Sequence, residues 1–500
     1  MTNVLIEDLF KKPYYEQLND IVTEMVEGMI TDTEMLSQEI LEWKKSETRK
    51  MMQTGEAYYK NNTDIRENKT QEIEWKSNNK LEHGFTRKLV DQKVGYLLTK
   101  QPTIATENDM YAALLSDVFD RKMLKTLKNV GKEAVNKGIS WLYVYFDEEG
   151  ILSFKKFPSE QIIPFWKDDE HTELHSFLRI YPVAIYMNGK KKIIEKAEYH
   201  HLEGINYFVL EGSKLVPDVP AGIHQNYNFM MIESDTIRDE SGQVVNVDKE
   251  KPFLWTRIPL IPFKYNEEEQ PLIDMIKSLV DNYNLQASTN ADILADIPKF
   301  IYKLINYGGD DLAEFLSNLN RYKVVKLDEN GDVDKLQADP ATDSTEKELE
   351  RGRKSIYEFG RGVDTTEESL GNASGVALRY RYSDLDMDCN ILESEFQSSL
   401  EHLLWFVDEY FVITGQGDFR EESVNIIFNR DIIINESEVI QDAANSVGVL
   451  DDQTIRENHP WYTQEVEERL KKQKDEEQNA FDNYGATFQQ MNGSGADGQE

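Results

Sequence analysis

Asp384, Asp386, Asp388 and Glu395 stand at positions 1, 3, 5 and 12 of a calcium-binding loop, and the three aspartates alone would suit a divalent ion that cleaves phosphodiesters. Position six, where such a loop needs glycine for its sharp turn, is Cys389. The spacing therefore reads as acids on the wet face of a helix. The rival reading, a metal-dependent nuclease, is separable by magnesium-dependent cleavage of a plasmid. His171 and His175 are four apart, like paired zinc ligands on a helix, but Glu173 is out of place for that motif and the neighbouring residues alternate as in a strand. His200-His201 carries no local signature of a nucleophile and its base. No GxxxxGK[ST] phosphate loop and no GxGxxG turn occurs, so nothing points to a P-loop motor, an enzyme, a metal or a cofactor.

What must position the acids is a long helix. From Val376 to Phe411 the chain has no Pro or Gly, and Leu378, Tyr382, Leu385, Cys389, Leu392, Phe396, Leu400, Leu403, Val407 and Tyr410 recur at steps of mainly four and three. At about 1.5 Å per residue this rod is on the order of 50 Å long. Burying its stripe contributes about 15–30 kcal/mol gross, enough to anchor it between subunits. The stretch before it, GRGVDTTEESLGNASG (360–375), is a polar loop. Asp364, Thr365, Thr366, Glu367, Glu368, Ser369, Asn372 and Ser374 are short or acidic there, and Gly362, Gly371 and Gly375 lend it conformational freedom.

With 39% hydrophobic and 11% aromatic residues, 500 residues suffice for roughly two to four folded units. The net charge of -36, from 56 basic and 92 acidic side chains, argues against a protein that grips nucleic acid by neutralising phosphates. Such a chain can surround DNA without sticking to it. The lone Cys389 excludes an intrachain disulfide and fits synthesis in the cytosol. No apolar run suits a membrane span, and MTNVLIEDLFKK lacks the order of a secretory signal, so a soluble chain is expected.

Periodicity predicts helices over 30–52, 80–98 and 109–137, the last with a basic face of Arg121, Lys122, Lys125, Lys128, Lys132 and Lys137 that is solvated or meets acidic neighbours. A hairpin follows at 140–146 and 151–157, then strands at 175–187, 190–200 and 205–211, while 212–252 looks like a pattern-poor excursion. Next come an extended 257–266, a helix over 271–295 ended by Pro298, and a small insert: strand 300–305, helix 310–319, strands 323–327 and 332–337. A return helix, 344–361, completes a stalk with a foot. After the rod, 423–434 reads as strand, 436–447, 452–458 and 463–479 as short helices, and the tail as disordered.

NKLEHGFTRKLVDQKVGYLLTKQP (79–102), GISWLYVYFDEEG, IPLIPFKYN with LIDMIKSLVDNYN, and VDTTEESLGNASGVALRYRYSDLDM resemble, in order and spacing, the portal proteins of long-tailed double-stranded DNA bacteriophages over about residues 10–415. The family often reads GKP where this chain has Lys100-Gln101-Pro102. The resemblance implies an α+β, mainly helical fold: a wing (1–268, with the long helix 376–414), a stem (269–297 and 342–361), a clip (298–341), a tunnel loop (362–375), a crown (415–484) and a disordered tail (485–500). It implies a ring, usually of twelve subunits, at the one capsid vertex where DNA enters and leaves. A terminase and later a head-completion adaptor would dock on the clip, for which Lys299, Asp310, Asp311, Arg321, Lys323 and Lys335 are the candidate surface. Major capsid and scaffolding proteins are further implied partners, double-stranded DNA passing the loop is weakly bound, and no membrane or cofactor is involved. A scaffold or adaptor that only joins other head proteins is the remaining alternative.

Overall fold

A computed structural model of the chain describes residues 33–67, 77–187, 190–227, 230–238, 244–252, 255–296, 301–305, 311–322, 329–336, 342–366, 375–430, 436–449 and 451–457, with residues 459, 462, 466, 469, 470 and 472. Two capping side chains decide how its first helices are cut. Ser46 accepts from the Arg49 amide, so the helix expected over 30–52 is two, α1 (Thr33–Lys45) and α2 (Glu47–Tyr59). α3 (Phe85–Leu98) starts later than expected, and β1 (Thr103–Ala105) follows. Asp120 Oδ1 accepts from the Met123 amide at 2.7 Å, so 109–137 also divides, into α4 (Asp109–Val118) and α5 (Arg121–Lys137). Neither break has a Pro or Gly to announce it.

The middle of the chain alternates and forms sheets. β2 (Ile139–Phe146) and β3 (Leu152–Phe157) make the expected hairpin. β4 (Ile162–Trp166), β5 (Leu174–Met187), β6 (Lys190–His201), β7 (Gly204–Glu211) and β8 (Lys214–Pro217) run in that order in an antiparallel sheet, with β9 (His224–Gln225) also paired to β7. The supposed excursion is structured: besides β8 and β9 it holds β10 (Met230–Arg238) and β11 (Val244–Pro252), an antiparallel pair. Charged and apolar residues are mixed along both strands, so backbone pairing exists there without a period-two signal. β12 (Leu260–Lys264), wholly buried, joins β2 in a second sheet.

α6 (Leu272–Asp296) leads to β13 (Ile301–Ile305), α7 (Leu312–Tyr322) and β14 (Asp332–Leu336), and β13 pairs with β14. The strand expected at 323–327 lies outside the described residues. α8 (Thr342–Phe359) returns and packs on α6. α9 (Gly375–Ile413) is the long helix. Of the strand expected over 423–434, β15 (Asn425–Ile427) forms and pairs with β1, while 431–434 lie outside the described residues; α10 (Glu436–Asn445) and α11 (Asp452–Glu457) follow. The helix expected at 463–479 falls almost wholly, and the tail wholly, outside the described residues.

Leu385, Cys389, Leu392, Phe396, Leu400, Leu403 and Val407 of the α9 stripe are buried, while Tyr382 and Tyr410 are half-buried. Most of the stripe joins Leu89 and Val90 of α3, Val130 of α5, Ile261 of β12, Ile276 of α6 and Ile356 of α8 in one core. This corrects the expectation that it anchors the rod between subunits: the stripe is consumed inside its own chain. By compactness one unit comprises residues up to Asp364 with Tyr382–Asp431, and another Thr365–Arg381 with Ile432 onward.

Candidate functional site

The start of the polar loop is fastened, side chain by side chain, to the first unit. α8 ends in a left-handed turn: the Arg361 amide donates to Glu358 O at 3.1 Å and the Gly362 amide to Tyr357 O at 2.9 Å, with Arg361 at φ 47°. A side chain at Gly362 would place its Cβ 2.1 Å from Leu89 Cδ2. Gly362 thus permits close packing on α3, where conformational freedom was expected. The Gln92 side chain then grips the Val363 peptide from both sides, donating to Val363 O at 2.6 Å and accepting from its amide at 3.1 Å. Arg353 Nη2 donates to Asp364 Oδ1 at 2.7 Å.

Beneath this root lies a buried ion pair. Lys93 of α3, 0% exposed, donates from Nζ to Asp388 Oδ2 at 2.5 Å and to Arg361 O at 3.1 Å. Tyr265 Oη donates to the same carboxylate oxygen at 2.7 Å, and Arg361 Nη1 lies 3.4 Å from Oδ1. Burial, then the Asp388 charge, pushes the Tyr265 hydroxyl well above its usual pKa, so it remains a donor. Burial also pushes the neighbouring Cys389 thiol up to about 12, which keeps it unreactive.

The aspartates therefore part company. Of the four acids, Asp384 is exposed as expected, Asp386 and Glu395 are half-buried, and Asp388 is buried at the root. Asp386 accepts from Tyr96 Oη at 2.9 Å and pairs with Arg430, which also reaches Glu393 at 2.6 Å. Lys93 and Arg430 thus stand against two of these carboxylates where a cation would sit, and the continuous helix does not make the turn that a calcium loop needs. His171 binds Glu269 at 2.8 Å and stacks on Trp166, while His175 turns to Ser176 at 3.2 Å, so the two histidines do not converge.

Of the remaining candidates, Thr365 and Thr366 are exposed, and Gly375 opens α9. Glu367, Glu368, Ser369, Gly371, Asn372 and Ser374 lie outside the described residues. Asp311 is exposed and its Oδ1 accepts from the Ala313 amide at 2.8 Å, at the start of α7, whose exposed Arg321 lies in the last turn. Lys335 is in β14; Lys299, Asp310 and Lys323 are outside the described residues. On α5, Lys137 is buried among Glu133 and Glu160, the acidic neighbours expected, while Arg121, Lys122 and Lys125 are exposed.

Elsewhere a half-open cavity of about 300 Å³ is lined by Tyr143, Phe157, Arg179, Glu198, His200 and Trp255 among others. Burial opposes the Glu198 charge, but His200, Tyr181 and Arg179 hold its carboxyl down at about 2. His200 itself is held below its usual range by burial. None of the root residues lines this cavity.

Reading the sequence missed Lys93, Gln92, Tyr265, Arg353 and Arg361. A signal for Lys93 existed: it sits one turn from both Leu89 and Leu97, on the apolar stripe of α3, where a cation needs a buried partner.

A family model described as "Phage portal protein, SPP1 Gp6-like" matches residues 38–480. The portal protein of Bacillus phage SPP1 is 29% identical over 477 residues, covering 92% of this chain and 89% of that protein. The portal protein of Clostridium phage phiCD119 is 28% identical over 437 residues, covering 83% and 90%. Among solved structures, a chain from the neck of a native GTA particle computed with C12 symmetry matches with a TM-score of 0.38 and 10% identity, over 74% of this chain and 88% of that one.

Proposed function

The chain belongs to the SPP1 Gp6-like family of phage portal proteins, and from that membership we propose how its parts divide the work. Portal proteins are structural, non-enzymatic parts of the capsid that form oligomeric rings at the vertex through which DNA passes. The finer reading is that α1–α5, strands β1–β12 and α9 form the wing, α6 and α8 the stem, the β13–α7–β14 insert the clip, residues 362–375 the tunnel loop, and the segment after 415 the crown. The clip takes terminase during packaging and the head-completion adaptor afterwards, through Asp311, Arg321 and Lys335 with Lys299, Asp310 and Lys323. Twelve subunits is the expected ring.

The observation that carries this reading is the clamped root. A loop that must meet moving DNA needs a fixed base and a free span. Gln92, Lys93 and Arg353 supply the base between stem helix and wing helix. DNA must slide both ways, so phosphate-neutralising contacts would act as brakes; a chain of charge -36 supplies repulsion within roughly 8 Å at physiological salt. Negative-stain images should show a ring with an axial hole, and the ring should bind duplex DNA weakly. Submicromolar affinity at about 0.15 M salt, with a steep salt slope, would sink the sliding account.

A further inference from the structure

Past the sheet that contains them, β5 and β6 continue as a two-stranded arm. β4 pairs with β5 only over Leu174–Arg179, and β7 pairs with β6 only from Glu195 to His201. Residues 183–187 and 190–194 thus have no third strand on either edge among the described residues. The five residues 183–187 alone reach roughly 17 Å. A lone hairpin of this kind is marginal in water unless something covers it.

Its composition says what would cover it. Tyr186 is 76% exposed and Ile193 64%. Tyr186 stands opposite Lys191, and Ile193 is two residues on, so all three share a face. Lys190, Lys191 and Lys192 are exposed and make no ion pair with a described residue. The next charges, Glu195 and Lys196, are already taken by Lys44 at 2.6 Å and Asp218 at 2.5 Å. A run of three lysines on an uncovered arm therefore projects from a chain of charge -36. The same chain offers a complementary patch: Glu267 and Glu268 are exposed beside Glu269 and Glu395. Burial, with the charges of Glu267, Glu269 and Glu268 and against the pull of Lys264, pushes the Glu395 carboxyl up.

We propose that the arm docks on the adjacent copy of this chain, Lys191 facing the Glu267, Glu268 and Glu395 patch with Tyr186 and Ile193 covered in the same contact, and Lys190 and Lys192 on the other face of the thin arm flanking it. Arm and patch are complementary but not identical, so the contact is head-to-tail, the kind that closes a ring. This rests on the ring reading above. To test it, rings are assembled from equal amounts of unlabelled and 15N-labelled full chain and treated with a zero-length carbodiimide, which joins a lysine to a contacting carboxylate. The expected product links a peptide containing Lys190–Lys192 to one containing Glu267–Glu268, of opposite isotope. Same-isotope pairs only, arm links to other carboxylates, or no arm link in rings otherwise cross-linked would overturn it. In addition, Lys190→Glu with Lys191→Glu and Lys192→Glu should lower ring yield about tenfold at roughly 0.15 M salt, and adding Glu267→Lys with Glu268→Lys should restore it. Rings at normal yield from the triple variant would instead mean that the lysines only guard an open edge against aggregation. The portal reading would survive that result; it fails if the unaltered chain forms no ring.

Discussion

α8 and α9 end on the same hydrogen-bond pattern, yet one end is built for load and the other is a plain stop. After α9 the Gly415 amide donates to Val412 O and the Gln416 amide to Phe411 O, with Gly415 at φ 70° and open space around it. After α8 the equivalent left-handed position is Arg361, a residue that costs roughly 1–2 kcal/mol there, flanked by Gly360 and Gly362 pressed on Leu89. The cost is offset because Arg361 lends its carbonyl to Lys93 and its guanidinium to Asp388. A stop needs only glycine. A loop root needs a residue that ties the turn to the core.

The largest expected effect breaks the buried tie. Asp388→Ala strands Lys93 without its counter-charge and should lower the stability of the chain by about 3–5 kcal/mol in urea denaturation, whereas Asp384→Ala, an exposed acid on the same helix, should change it by about 0.5 kcal/mol or less. Equal effects would remove the distinction drawn between the aspartates. Next comes packing: Gly362→Ala should cost about 1–3 kcal/mol by overpacking, and part of that should return when Leu89→Ala is added. Gly415→Ala should cost about 1–2 kcal/mol from its left-handed φ and show no coupling to Leu89. Smaller still, Arg361→Gly should be about 1 kcal/mol more stable than Arg361→Ala, since both lose the guanidinium but only glycine relieves the backbone.

A last effect belongs to the β6–β7 sheet and the long helix α9. Burial, reinforced by His224, holds His201 at about 4, and burial with Arg257 nearby holds His402 at about 4. Unfolded, each titrates near 6.5, so the unfolded chain takes up these protons first and stability falls as pH drops from 6.5 towards 4. Glu198, held at about 2, adds a loss as pH falls from 4.5 towards 2. Melting curves across this range should show His402→Gln flattening the first interval; an unchanged slope would remove His402 from the account.

Much of this was legible in the residues. The rod announced itself because its apolar steps are unbroken by Pro or Gly, and Cys389 in the glycine place disposed of the calcium loop. The family resemblance was carried by four segments in order and spacing, above all the loop with the first turns of that rod. Three things were not legible for local reasons. Ser46 and Asp120 are caps embedded in otherwise helical patterns, so only the hydrogen bonds they accept reveal the breaks. The β10–β11 pair lacks alternation. Asp388 looked solvated because its partner Lys93 is 295 residues away in sequence, and only the fold brings them together.

The central proposal is that the fixed root holds the loop that meets the passing DNA. Its most direct test is packaging by rings that lack residues 365–372, with ring assembly checked first by electron microscopy. The account predicts intact rings, because Gln92, Lys93 and Arg353 hold the root without those residues, and a marked loss of packaged DNA. Normal packaging by such rings would contradict it.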